Sequence, residues 1–470
     1  MNSVLTFCSL LICALIVMAV PTLVAPYSAD YGTVTVFDTS KAILLCAALA
    51  TIAGLFAYRQ GENGPFLVRL FLAALLIRML LGTAIFVMKG QDFFGGDAIT
   101  YDFFGFAQLK AWGGDRYYQT LVNAFVGQDQ GSGWGMVYLV AGTYRLLGRN
   151  ILAIQFINGV FGAATAIVIF LCAHHVFNNV RVSRLAAIAV AFYPSLVLWS
   201  SQGLKDGPIV FFLALSILAT LKLGQNLSVK YLAILVCSLF ALLSLRFYVF
   251  YMISAAIAGA FVIGMQALTA TTFIRQFVVI ITLGLALTYL GITQYANVQY
   301  ERYGSLQQVQ HSRMDASNSA RSGFARDVDV STTQGALFTI PIGLLYLLFA
   351  PFPWQVVSLR QSITLPEMII WWASFPMLIL GLWFSVKYRL RQISPILIFT
   401  VMLSLAYSVF QGNVGNAYRQ RSQLLVFYFI FVAVGYVLLL EKREEKKRRE
   451  LAAREEALAT RMPASALQRR

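Results

Sequence analysis

Charge is what this sequence has least of: 12% of its 470 residues are Asp, Glu, Lys or Arg, against roughly 25% in an ordinary soluble domain. That shortage excludes a chain wrapped in a water-facing surface. With 59% hydrophobic residues and a mean hydropathy of +0.71, lipid is the expected solvent. Histidine is scarce too, and His174, His175 and His311 show no metal-ligand spacing with acids or cysteines. The five cysteines (Cys8, Cys13, Cys46, Cys172, Cys237) all sit in apolar runs, where they act as small hydrophobes, which excludes a disulfide framework or metal cluster. No internal repeat or matching pair of halves is visible, which counts against the repeat-built transporters. The first apolar run has no basic residue before it and no A-x-A site, so it reads as a helix and not as a signal peptide.

Apolar runs are what the chain does have. About 20 apolar residues make a helix long enough to cross hydrocarbon. Runs of that kind predict crossings at 4–26, 42–58, 67–88, 151–172, 184–202, 206–223, 229–245, 247–267, 275–293, 366–386, 394–411 and 422–440. The expected fold is therefore an all-α polytopic transmembrane helix bundle of about twelve spans. Shorter apolar pieces at 136–147 and 337–352 predict interfacial or re-entrant helices.

Basic residues in short loops stay on the cytoplasmic side. Arg181 with Arg184, Lys222 with Lys230, Arg275, the 387–391 stretch and the tail from Glu441 can all be cytoplasmic in one topology. The segments 89–150, 201–206, 294–336 and 412–421 then share the external face, provided 337–352 does not cross. The net charge of +16 is divided among loops and tail, without an aromatic-interleaved basic domain. Nucleic acid is thus excluded as a partner, and anionic membrane lipid is the expected one. The tail, 441–470, mixes Glu with Lys and Arg at helical spacing and reads as a solvated helix extension.

The chemistry-bearing residues fall on the external segments. In the loop Gly95-Gly96-Asp97-Ala98-Ile99-Thr100-Tyr101-Asp102, Ile99, Phe103, Phe106 and Leu109 recur at helical spacing. They predict an amphipathic interfacial helix with Asp97 at its mouth. Asp97 reads either as an acid held at the membrane surface or as a helix N-cap. Asp206, in Lys205-Asp206-Gly207-Pro208, carries the same two readings. Arg246, Lys205, Arg419 and Arg421 put cations on the same face, against the positive-inside rule. A phosphate bound by guanidinium forks would account for them, and so would snorkelling to headgroups. Arg78 lies near the middle of its span and calls for a carbonyl or an acid on a neighbouring helix.

Three pieces carry a family resemblance: Asp97 with Tyr101, the run Ile154-Gln155-Phe156-Ile157-Asn158-Gly159-Val160-Phe161-Gly162, and Phe192-Tyr193-Pro194-Ser195-Leu196-Val197-Leu198-Trp199-Ser200 leading into Lys205-Asp206. In that order, from Asp97 to about Lys222, they resemble the polyprenyl-phosphate-dependent glycosyltransferases of the GT-C superfamily. The likeness is greatest to the family 39 protein O-mannosyltransferases and aminoarabinose transferases, with Tyr418-Arg419 a fainter echo. The resemblance implies a GT-C-like bundle that transfers a sugar, with inversion, from a lipid-linked phosphate donor to an acceptor on the external face of a membrane, as in a bacterial inner membrane. It implies Asp97 as catalytic base, with Asp206 beside it. A carboxylate can take the acceptor proton, and Lys205, Arg246 and Arg419 can stabilise the leaving phosphate. Tyr101, Asp102 and Arg421 complete the expected substrate-binding set.

No cofactor is expected beyond the sugar-carrying lipid as co-substrate. No metal is expected either, because no carboxylate cluster has ligand spacing; Asp97 and Asp206 meeting in space would be the exception. The acceptor stays open among glycan, lipid and protein. The layout expected is two additional helices in 1–66, a GT-C-like module in 67–293 with its catalytic loop at 89–150, an external loop at 294–336, C-terminal spans in 337–440 and the charged tail. A polysaccharide polymerase or O-antigen-type ligase, and a transporter or flippase, are the competing readings.

Overall fold

The computed structural model describes residues 36–88, 96–127, 133–264, 269–318, 322–325, 328–356 and 359–461. The expected crossing at 4–26 lies outside them. In chain order the helices are α1 (Val36–Tyr58), α2 (Gly64–Val87), α3 (Asp97–Trp112), α4 (Arg116–Val122), α5 (Trp134–Leu147) and α6 (Ile151–Phe177). Next come α7 (Val180–Phe192), α8 (Pro194–Ser200), α9 (Asp206–Gln225), α10 (Val229–Leu245), α11 (Phe247–Ile263) and α12 (Ala270–Tyr289). The chain closes with α13 (Ile292–Tyr303), α14 (Leu306–Asn318), α15 (Thr333–Phe349), α16 (Leu359–Phe410) and α17 (Val414–Arg461). Among the described residues there is no strand, only an isolated bridge between Gly323 and Asn413. The protein is an all-α integral membrane protein.

Seven described helices are long and apolar enough to cross a bilayer, or eight if the bent pair α7 and α8 is one span. Part of the distance from twelve lies in length: α10 and α11 have 17 residues each. Part lies in a fold-back: α16 breaks at Arg389, where φ is −135° and ψ 20°. Before the break Glu367 meets Tyr418 and Trp371 stacks on Tyr428; after it Ser404 meets Tyr428 and Tyr407 meets Gln423. The two limbs therefore run in opposite directions along α17. The bend of 54° between α7 and α8 follows from Pro194, which starts α8 and pushes Tyr193 into an extended conformation.

Helix α6 is the axis of the bundle. It is apolar all round, the pattern of a helix enclosed on every side, and nearly all its residues are buried. The approach of α2 and α8 to it is close: a Cβ on Gly162 would lie 2.4 Å from Ser200 Oγ and 2.7 Å from Arg78 Nε. Arg78 is fully buried there, donating to Ser200 Oγ at 2.8 Å and to the carbonyls of Ala74 at 3.0 Å and Ala191 at 2.8 Å. That is the carbonyl pairing its mid-span position calls for. By contrast α1 and α12 present Leu44, Ile52, Phe273 and Leu285 outward, as lipid-facing helices do.

Contacts sort the loops into two ends. Arg181 pairs with Glu444 at 3.2 Å, Arg184 donates to Asn63, and Arg275 donates to the Gly224 carbonyl. At the other end Arg419 meets Asp97 and Asp206. Helix α15 does not run between these ends. Ala336 packs with Val330 and Val409, while Ala350, just past its C-terminus, packs with Phe324 and Val414, so both of its ends touch the end that carries Arg419.

Candidate active site

Two helix starts bring the acids in. Asp97 and Asp206 stand in the first turns of α3 and α9, where a carboxylate is favoured by the helix dipole. Neither helix has a side-chain cap bond at its N-terminus, so neither acid serves as a cap. Both carboxylates turn to Arg419 on α17. Its Nη1 donates to Asp97 Oδ2 at 2.6 Å, and its Nε and Nη2 donate to Asp206 Oδ2 at 2.8 and 2.6 Å. Arg246, at the junction of α10 and α11, stands 3.7 Å from Asp206 Oδ1. The Arg419 guanidinium also lies over the Trp199 ring at 5.7 Å.

The loop carrying Lys205 is pinned from the axis. Asn158 Nδ2 on α6 donates to the carbonyls of Gln202 and Leu204, both at 2.6 Å. Lys205 Nζ then sits 5.9 Å from the centre of the Tyr101 ring. Gly133 closes this side with φ of +93°; a Cβ there would be 2.9 Å from Tyr101 Oη and 3.3 Å from Lys205 Nζ. Burial, then the neighbouring Arg246, pushes the Lys205 ammonium down to about 7. Burial, then Asp97, pushes the Tyr101 phenol up.

The six residues Asp97, Tyr101, Lys205, Asp206, Arg246 and Arg419 are thus one cluster, with three cationic side chains against two carboxylates. Asp97 is 51% exposed and Asp206 1%. Asp206 Oδ1 and Arg246 Nη1 are buried and make no hydrogen bond within the protein, so polar capacity is left for a ligand. Among the described residues no three of His, Cys, Asp and Glu converge on a metal-sized point.

The structure places two expected site residues elsewhere. Asp102 is on the buried face of α3, where it accepts from Tyr144 on α5 and pairs with Arg149. Arg421 is buried and donates to the Leu347 carbonyl at 2.6 Å, to the Ala350 carbonyl and to Met368 Sδ at 3.1 Å, closing the C-terminal end of α15. The predicted apolar stripe of α3 is also rotated. Phe103 is exposed, and the packed face is Ala98, Tyr101, Asp102, Gly105 and Gln108. The reason is Gly105, whose Cβ would fall 2.3 Å from Val140, so α3 lies against α5 by its smallest side chain.

Sequence reading missed Glu367, a buried acid that accepts from Tyr418 at 2.7 Å. An acid inside an apolar span was the available signal. It also missed the cavity beside the cluster. A space of about 640 Å³ is walled by apolar and aromatic side chains including Phe125, Phe247, Tyr251, Met252 and Phe410, with Tyr248 and Gln420 at its polar side. Phe247 and Tyr248 follow Arg246 in the chain, Gln420 follows Arg419, and the Arg246 guanidinium lies 5.7 Å from the centre of the Tyr248 ring, so the cavity lies beside the two arginines, neither of which lines it.

Fold and site together define a polytopic membrane protein with a charged centre at one end of its bundle. The family model described as Dolichyl-phosphate-mannose-protein mannosyltransferase matches residues 134–291, about a third of the chain, and overlaps the stretch that resembles GT-C enzymes. The chain is in that segment similar to the GT-C membrane glycosyltransferases. No curated protein matches the sequence. Among solved structures, the archaeal oligosaccharyltransferase AglB from Archaeoglobus fulgidus, in complex with an inhibitory peptide and a dolichol-phosphate, aligns at 15% identity with a TM-score of 0.40. The alignment covers 68% of this chain and 44% of that one.

Proposed function

We propose that this protein is a membrane glycosyltransferase that moves a sugar from a polyprenyl-phosphate carrier to an acceptor hydroxyl. The observation that carries the reading is the cluster of three cations and two carboxylates beside a cavity with apolar walls. A sugar-phosphate lipid has an anionic centre and a long apolar tail, and the two halves of this site fit those two parts. Burial first, and then the neighbouring Arg246, lowers the Lys205 ammonium, and a bound phosphate would favour its charged form.

In this reading the acceptor oxygen attacks the anomeric carbon as its proton passes to Asp97. Arg419 holds Oδ2 of that carboxylate, leaving Oδ1 as the proton acceptor. The bond between the anomeric carbon and the phosphate oxygen breaks, and the carrier leaves as a phosphomonoester with one more negative charge. Lys205, Arg246 and Arg419 offset that charge where it develops. One displacement inverts the anomeric configuration. Asp206, fully enclosed, holds Arg419 and Arg246 in place. No metal enters the scheme.

The end carrying Arg181, Arg184, Lys222, Lys230, Arg275 and the tail is cytoplasmic by the positive-inside rule, so the site end faces outward, as on the periplasmic face of a bacterial inner membrane. The test is incubation of purified protein with a panel of radiolabelled polyprenyl-phosphate sugars, following transfer and release in wild type and Asp97→Asn. Turnover that depends on Asp97 supports the reading. Turnover that survives the substitution removes Asp97 as the base, and well-folded protein inert to every donor overturns the assignment.

A further inference from the structure

A second cavity, of about 390 Å³, lies on the far side of the turn 123–127. Phe125 lines the larger apolar cavity, whereas Asn123 and Val126 line this one. Helix α13 is shared in the same way, with Tyr295 on this cavity and Tyr300 on the other. The connection to the charged cluster is short, since Trp134 in this wall follows Gly133, the residue closed against Tyr101 and Lys205.

The lining has a distinct chemistry. Four aromatic rings form a connected series: Trp112 to Tyr138 at 5.9 Å, Tyr138 to Trp134 at 5.6 Å and Trp134 to Tyr295 at 6.2 Å, all tilted or edge-on. Edge-on contacts leave ring faces available to a ligand. Gln108, Gln119 and Asn123 supply amides that both donate and accept. The indole N–H of Trp134 is buried without a partner. Among the described residues no charged side chain lines it, which disfavours a phosphate headgroup. A bilayer-interface belt would account for aromatic rings, but not for three amides gathered with them around one hollow.

We infer that this cavity binds a neutral carbohydrate and presents it as the acceptor, an inference that rests on the glycosyltransferase reading above. Sugar rings offer C–H faces to aromatic side chains and hydroxyls to amides, the two kinds of group present here. The reaction is the displacement already described, with the O–H of this glycan losing its proton to Asp97 and the polyprenyl phosphate leaving.

The experiment titrates purified full-length protein in nanodiscs with gluco-, manno- and galacto-configured neutral trisaccharides. Calorimetry measures binding, and transfer from radiolabelled polyprenyl-phosphate sugars is assayed in parallel. At least one trisaccharide is expected to bind saturably and accept the sugar, with affinity reduced at least tenfold in Trp112→Ala and in Gln119→Ala and kept in Trp112→Phe. Two results overturn the inference: no saturable binding to wild type, or binding that both alanine variants leave unchanged. Transfer to peptides in place of glycans also overturns it, while leaving the transferase reading intact. Cavity-dependent binding with no turnover of any donor supports a carbohydrate site and sinks the transferase reading instead.

Discussion

Helix α3 carries two carboxylates five residues apart that live in different chemistry. Asp102 is buried against α5 and is satisfied by one tyrosine and one arginine, with Arg149 still 36% exposed. Asp97 is half exposed and shares Arg419 with Asp206, a group whose Oδ1 is buried without a hydrogen bond. The first cluster is closed and the second is open, and only an open one can exchange a proton or accept a ligand without breaking the fold. The same contrast repeats on α17. Arg419 joins two carboxylates, whereas Arg421, two residues on, donates to the carbonyls of Leu347 and Ala350. Carbonyl partners neutralise no charge and offer a substrate nothing.

The largest break in this comparison is Asp97→Asn. Transfer should fall by about 10²–10⁴-fold, the usual contribution of a positioned base, with expression and thermal midpoint near wild type; single-turnover rates and a melting curve measure both. Next is Arg419→Lys, which keeps a charge but cannot bridge both acids. Turnover should drop on the order of 10²-fold through misplacement of Asp97, and an Asp97–Arg419 double-mutant cycle should show strong coupling. An additive cycle would mean the two side chains act apart.

Asp102→Asn should do the reverse. It removes the charge that holds Arg149, costing about 2 kcal/mol of stability in denaturant titrations, while the remaining folded protein keeps near-normal turnover. A large loss of turnover with unchanged stability would move Asp102 into the open cluster.

A smaller effect is expected from pH. Burial and Arg246 push the Lys205 ammonium down to about 7, so donor affinity should weaken about tenfold as pH rises well past that value, one charged hydrogen bond being lost. Lys205→Arg should flatten the curve, because a guanidinium stays protonated. A lysine held below its ordinary value loses its proton earlier in the folded protein than in the unfolded chain. Its contribution to stability therefore rises with pH between about 7 and about 10.4, opposite in sign to its effect on anion binding. The smallest effect is that of a chelator: turnover should be unchanged in EDTA, and a loss restored by a divalent cation would add a metal to the scheme.

Much of the scaffold was legible because a run of some 20 apolar residues has few soluble alternatives. The crossings at 42–58, 67–88, 151–172 and 206–223 fall on α1, α2, α6 and α9. The break at Pro194 was written in the sequence but passed over, since an apolar run hides a bend that a fixed φ imposes. The packed face of α3 was not legible from hydrophobicity at all. It turned on Gly105 meeting Val140, a matter of how closely two backbones approach and not of how apolar the side chains are.

Residue types named the acids and cations that could do chemistry, and the positive-inside rule grouped them on one face, because both depend on local composition. Which of those charges meet was decided by tertiary structure alone. Asp97 and Arg419 are 322 residues apart and Asp206 and Arg419 are 213 apart, so their contact depends on α3, α9 and α17 ending at the same depth around α6. Asp102 and Arg421 carry the same charges on the same helices. A step of five residues along α3 and of two along α17 turns them to a tyrosine, an arginine and two carbonyls, because a helix turns each successive side chain by about 100°.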